Sequence, residues 1–179
     1  MNTDKIKKKA AADGIKLIYA SAPRSTLSSV KKFRTKCAEN VCGSYGVSWT
    51  CPPAVGTPAE CINRLKGFDK AVIMTKMFTD IADVRDIETM ERLSKENQGA
   101  CRSVKHMLEE EGYEALALSG GPCRFCTKCS YPDPCRFPGE QVSSVSGYGI
   151  DMGKYLKSNG IDFEFSDNEV TLYAIVLFR

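Results

Sequence analysis

Four cysteines stand close together in the segment GPCRFCTKCSYPDPCR, residues 121–136. Two residues separate Cys123 from Cys126 and Cys126 from Cys129, and five residues separate Cys129 from Cys135. A CxxCxxC run is typical of iron–sulfur proteins, in which one tight loop wraps three corners of a cubic cluster. Four thiolates also hold structural zinc, although zinc sites usually divide their ligands between two separated pairs. The segment predicts a 4Fe–4S cluster, with zinc as the alternative.

A second group of cysteines, Cys37, Cys42 and Cys51, lies in the segment CAENVCGSYGVSWTCPP, residues 37–53. Three thiols could hold a second cluster with one iron open to a substrate, or they could take a fourth ligand from elsewhere in the chain. Buried cysteines also occur as small apolar residues. The polar, Gly- and Pro-containing loop offers no apolar stripe for such packing, which favours ligation. We therefore expect one cluster or two.

Other residues that could do chemistry have a simpler interpretation. Cys61 and Cys101 are in phase with the apolar faces of predicted helices, which indicates core packing, although Cys61 could also complete the first cysteine group. His106, the only histidine, falls on the charged side of a predicted helix near Glu109 and Glu110, which indicates a solvated residue rather than a general base.

The composition places these cysteines in a reducing compartment. The chain has 179 residues and 42% hydrophobic residues, which predicts a single domain, residues 1–179, that buries roughly two thirds of its unfolded surface. No apolar run approaches the roughly 20 residues that span a bilayer, and the charged N-terminus has no secretory apolar region. We therefore expect a cytoplasmic protein, in which clustered cysteines are more often ligands than disulfides.

Positive charge is concentrated at the N-terminus. Residues 1–36 contain ten Lys and Arg against two acidic residues. This basic N-terminal segment could meet an acidic partner protein, or it could be a solvated helix face. Nucleic acid is disfavoured as a partner because no aromatic residue interleaves with the lysines before Tyr19.

Hydrophobic periodicity predicts an α/β fold with a mixed sheet of about five strands, flanking helices and two cysteine-rich loops. The first cysteine loop is residues 37–53, between helices, and the second is residues 120–138, directly after a strand. Strands are predicted at IKLIYASA, AVIMTKMF and ALALS, and as a terminal hairpin in IDFEFSDNEVTLYAIVLF. Helices are predicted near residues 5–12, 25–34, 58–65 and 151–160, with Thr57 as the cap of the third. Residues 84–112, with Ile87 on the apolar face, predict one long or once-broken helix.

Several short motifs together resemble one protein family. They are CGSYG at 42–46, WTCPP at 49–53, EEGY at 110–113, GGPCRFCTKC at 120–129 and GIDM at 149–152. Over roughly residues 37–160 the chain resembles the predicted metal-binding proteins called domain of unknown function 2284. The resemblance implies metal or cluster binding through the four cysteines of the second loop, with those of the first group as further candidates. It implies no reaction.

Two functions from different classes follow from these patterns. In the first, the chain is a small iron–sulfur protein of an anaerobe that exchanges electrons with an acidic redox partner. In the second, it is a cluster-dependent enzyme of the lyase or desulfidase type. An open iron at Cys37, Cys42 and Cys51 would then act as a Lewis acid on a small-molecule ligand. A zinc-stapled binding module is a lesser alternative.

Overall fold

A computed structural model describes residues 3–162 and 168–179 of the chain. Within these ranges it has five α-helices, one short 3-10 helix and five strands, and the strands form one mixed sheet. The strands are β1 (Ile15–Ser21), β2 (Lys70–Phe78), β3 (Ala115–Ser119), β4 (Ser143–Ser144) and β5 (Val170–Phe178). The helices are α1 (Thr3–Ala12), α2 (Leu27–Ala38), α3 (Pro58–Lys66), α4 (Ile87–Glu110), the 3-10 helix (Pro138–Glu140) and α5 (Met152–Ser158). The predicted fold class is confirmed.

The spatial order of the strands is β1-β2-β5-β3-β4. Neighbouring strands are antiparallel except for β3 and β4, which are parallel. β4 has only two residues and was not predicted, because a pair of serines carries no strand pattern. It nevertheless closes the sheet beside the C-terminal end of β3, where the second cysteine loop begins.

The core consists of two apolar layers, one on each face of the sheet. Alternation along β2 and β5 divides their side chains between the layers, as the period of a strand requires. Val72 and Val176 pack with apolar residues of α1 and α4. Ala71 and Ile175 pack on the other face, with α3 and the segment 145–150. Both central strands are therefore covered on both faces, and the loops at their ends carry the polar chemistry.

The helix boundaries follow local signals. The predicted cap of α3 is confirmed: the Thr57 hydroxyl accepts the Glu60 N–H at 3.3 Å, and the Glu60 carboxylate accepts the Thr57 N–H at 2.6 Å. α4 begins after Asp86, whose carboxylate accepts the Thr89 N–H at 2.7 Å. The predicted long helix is thus one continuous element that starts three residues later than expected.

α2 extends further than predicted and changes the setting of one cysteine. The helix continues to Ala38, so Cys37 lies in its last turn rather than in an open loop. The chain then turns at Asn40, which has φ +53°. Asn tolerates this left-handed conformation, and here its side-chain oxygen also accepts the Tyr45 N–H at 2.9 Å. The helix therefore gives Cys37 a fixed position.

Two further predictions concern the C-terminal part and the membrane. The second strand of the predicted terminal hairpin is β5, whereas the first falls on residues 163–167, which lie outside the described residues. Among the described helices, none combines the length and apolar character needed to cross a membrane.

Candidate metal centre

The second cysteine loop brings its four thiols to one recess. Cys123, Cys126, Cys129 and Cys135 all line it, together with aromatic side chains that include Trp49. All four are half-buried, and all nine cysteines of the chain are free thiols. The recess is small, about 20 Å³, which is room for about one water molecule. A cubic cluster would require the loop to widen around it.

Gln98 of α4 holds the start of the second loop. Its side chain is fully buried and donates to the carbonyl oxygens of Pro122 at 2.8 Å and Gly120 at 3.3 Å. Its own carbonyl oxygen accepts the Arg124 N–H at 2.8 Å. One amide therefore fixes three backbone groups around Cys123, and it is carried by a rigid helix.

Residues of the first cysteine loop also bind the second loop. The Thr50 hydroxyl accepts the Cys123 N–H at 2.8 Å, and the Trp49 indole donates to the carbonyl oxygen of Asp133 at 2.8 Å. The Trp49 and Tyr131 rings meet edge to face with their centroids 5.0 Å apart. Cys51 follows Thr50 directly, so the two cysteine groups are neighbours in space.

The first cysteine group is uneven in exposure but close together. Cys51 is buried, Cys37 is half-buried and Cys42 is exposed. Burial, followed by the nearness of Cys42 and Cys37, raises the pKa of the Cys51 thiol to about 12. Burial and Cys42 also raise the pKa of Cys37, although the Arg34 guanidinium opposes this. These mutual interactions place the three thiols within electrostatic range and disfavour three bare thiolates. A bound cation would remove that cost.

The thiols do not form a ready coordination shell. In residues 3–162 and 168–179, no three cysteine, histidine or acidic side chains are grouped so that they could hold a metal ion. The four thiols of the second loop share a recess, and the three of the first group share an electrostatic neighbourhood, but each set would have to turn inward to bind. Ligation by these seven cysteines stays a prediction.

The two cysteines expected in the core lie there. Cys101 is fully buried between α4 and the sheet, and Cys61 is fully buried on the other face. The Cys61 sulfur lies 3.2 Å from a guanidinium nitrogen of Arg34 and 3.6 Å from the carbonyl oxygen of Val55. Cys61 therefore packs as a core residue with polar neighbours of its own.

His106 has more partners than a solvated helix residue. Its Nδ1 lies 3.1 Å from the Glu109 carboxylate and its Nε2 lies 3.1 Å from the Glu140 carboxylate. The neighbouring Lys105 contacts Glu109 at 2.7 Å and donates to the carbonyl oxygen of Gly139 at 2.9 Å. These contacts hold the 3-10 helix that follows the second cysteine loop against α4.

Two cavities separate the cysteine loops from the N-terminal half of α4. The loop cavity, about 730 Å³, is lined by Ser48, Lys95, Cys123 and Lys128, among others. The strand-end cavity, about 520 Å³, lies where β3 ends and is lined in part by Cys42. Glu91 and Arg124 border both cavities, and their side chains form an ion pair at 3.1 Å.

Sequence reasoning missed the polar residues of α4 that position this region. Asn97, Gln98, Arg102 and Lys105 are all buried. A signal for them existed, because their spacings of one, three and four residues continue the apolar face that includes Cys101. Polar residues on the buried face of a helix have to meet partners. Gln98 meets loop backbone groups, Lys105 meets the Gly139 carbonyl oxygen, and Arg102 lies over the Phe125 ring.

Comparison with models of protein families gives a match over most of the chain. The family described as predicted metal-binding protein, domain of unknown function 2284, matches residues 23–178. Comparison with curated proteins and with solved structures returned no match to the chain.

Proposed function

Because the chain belongs to the family of predicted metal-binding proteins, domain of unknown function 2284, we propose that Cys123, Cys126, Cys129 and Cys135 bind a 4Fe–4S cluster. In this proposal the protein is a small cytoplasmic redox protein. The observation that carries it is that the three thiols of the CxxCxxC run and the thiol of Cys135 all line one recess. When bound, such a cluster supplies one-electron redox chemistry.

The surroundings of the recess suit a negatively charged thiolate centre. The Arg102 guanidinium lies 5.0 Å from the centre of the Phe125 ring, which lines the recess. Arg136 donates to the carbonyl oxygen of Lys128 at 2.6 Å and so keeps a further cation on the loop. Positive charge near a cluster offsets the charge of its thiolates and tunes its potential.

The outer face of the second loop fits an acidic redox partner. Phe125 and Phe137 are 39% and 48% exposed, and their ring centroids are 5.2 Å apart. The exposed cations Lys128 and Arg136 border the same groove beside these rings. An apolar pair flanked by positive charge is suited to a brief encounter with an acidic surface.

One observation favours the second candidate function, a cluster-dependent enzyme. The first group has three cysteines, and the exposed Cys42 lines the strand-end cavity. If Cys37, Cys42 and Cys51 bind a second cluster, its fourth position would be open toward that cavity. An open iron could then act as a Lewis acid on a small molecule, as in a lyase or desulfidase.

The experiment that tests the main proposal is metal analysis of protein prepared without oxygen. We expect about four iron and four sulfide ions per cluster and a visible absorbance that dithionite reversibly bleaches. The Cys126→Ser variant should lose the iron and sulfide of one cluster. The matched control, Thr127→Ala, alters an exposed residue of the same loop and should keep both.

Other results would change the conclusion in defined ways. Zinc without sulfide would replace the redox proposal with a zinc-stapled binding module. Full iron content in Cys126→Ser would show that the second loop does not hold the cluster. For the enzyme candidate, added thiols or carboxylates should perturb the electron paramagnetic resonance signal of the reduced protein. An unchanged signal would leave no open iron.

A further inference from the structure

The strand-end cavity has polar features that the metal centre does not use. It lies beyond the C-terminal end of β3, between that end and α4, and its volume is about 520 Å³. Ser119, Gly120 and Gly121 line its strand side, and Gly121 has φ +74° with no atom within 4 Å of where a Cβ would be. A strand end facing a helix is a common place for small ligands in α/β folds.

Asn97, which lines this cavity, has a buried side-chain oxygen that accepts no hydrogen bond from the described residues. Its side chain lines the cavity but is only 2% exposed, and its Nδ2 lies 3.5 Å from the Ser119 hydroxyl and from the Tyr173 carbonyl oxygen. Its Oδ1 has no hydrogen-bond partner among the described residues. A buried acceptor left unpaired costs about 1–3 kcal/mol, so a donor that reached it would bind favourably.

Positive charge lines the same cavity. Arg124 pairs with Glu91 through one terminal nitrogen, while its Nε is buried and has no partner among the described residues. The exposed Arg85 lies on the cavity rim. The residues that line the cavity thus carry two guanidinium groups and one carboxylate, and two of them, Arg124 and Asn97, also hold an enclosed donor and an enclosed acceptor without partners among the described residues.

We propose that the strand-end cavity binds a small carboxylate that also carries a hydroxyl group. The carboxylate would meet Arg124 and Arg85, and the hydroxyl would donate to Asn97 Oδ1. A dicarboxylate without a hydroxyl group satisfies the cations but offers no donor to Asn97, so the hydroxy acid is the better match. Binding needs none of the cysteines. Only the approach of this ligand to an iron beside Cys42 rests on the proposed enzyme function.

The test is isothermal titration of the full chain with L-malate, succinate and inorganic phosphate, in metal-free and metal-loaded protein. Malate and succinate differ by one hydroxyl, so the wild type should bind malate about tenfold more tightly, the value of one well-made hydrogen bond. Asn97→Leu should abolish this preference. Arg85→Gln should weaken the binding of both acids by a similar factor. Arg92→Gln is the matched control, because Arg92, on α4, is exposed like Arg85 but lines the loop cavity and not the strand-end cavity.

Three results would overturn the inference. The first is that malate does not bind the metal-free wild type, and the second is that malate and succinate bind it with equal affinity. The third is that Arg92→Gln loses as much affinity for the acids as Arg85→Gln does. The wild-type comparison and the surface variants keep the test decisive if Asn97→Leu does not fold. Because the titration uses metal-free protein, its failure is separate from a failure to find iron or zinc.

Discussion

The replacement of Gln98 by Leu tests whether α4 holds the second cysteine loop in place. Leu has a similar volume, so the buried packing is retained while three hydrogen bonds are lost. The change leaves the carbonyl oxygens of Gly120 and Pro122 and the N–H of Arg124 without their partner. An unpaired buried group costs about 1–3 kcal/mol, and these groups are partly accessible to water, so we take the low end for each. The free energy of unfolding should fall by about 2–4 kcal/mol.

Urea unfolding of the reduced, metal-free protein measures this loss, and metal content after anaerobic preparation measures its effect on the site. We expect the Gln98→Leu variant to bind less metal, because an unfixed loop has to be ordered again on binding. Ser103→Ala is the control: Ser103 is exposed on the same helix and bonds only the Gly99 carbonyl oxygen, at 3.3 Å. A Gln98→Leu variant with wild-type stability and metal content would refute the positioning role.

Two further changes test a contact of α2 and a contact of the first cysteine loop. Gly149→Ala should lower the free energy of unfolding by about 3–5 kcal/mol, because φ is +69° and a Cβ would lie 2.6 Å from backbone atoms of Val30. Gly14→Ala, at φ +70° with open space, should cost only about 1–2 kcal/mol; equal losses in urea titrations would contradict this reasoning. Trp49→Phe keeps a ring but removes the hydrogen bond to Asp133, so a loss of about 0.5–1.5 kcal/mol is expected. Unfolding of this variant should be followed by circular dichroism, because replacing Trp49, the only tryptophan, removes the tryptophan fluorescence. An unchanged free energy of unfolding would show that the hydrogen bond is dispensable.

The parts of the fold that were predictable are those specified by local chemistry. The strands β1, β2, β3 and β5 were visible as apolar runs, and the cap at Thr57 was visible as a hydroxyl directly before the helical turn PAE. Short or exposed features misled the same reasoning. β4 carries no strand pattern, and Ile87 was assigned to the apolar face of α4 although it is 78% exposed at the start of that helix.

The sequence names candidate ligands, whose ligation stays a prediction, but it does not show the contacts that hold their loops. The seven cysteines could be named because their spacing lies within two short segments. The contact of Thr50 with Cys123 joins residues 73 positions apart, and no local pattern reports such a distance. The role of Gln98 was not predicted for a related reason. Its position on an apolar helix face does not indicate which loop its side chain binds.

The position of α4 links the features that sequence reasoning treated separately. Gln98 fixes the start of the second cysteine loop, Lys105 fixes the 3-10 helix after it, and Asn97 lines the strand-end cavity. These residues are buried on a helix of 24 residues that packs on the sheet, so they are held more rigidly than the loops they contact. A loop with little regular structure gains a defined geometry only from such contacts. The buried polar face of α4 therefore positions the second cysteine loop and borders the strand-end cavity.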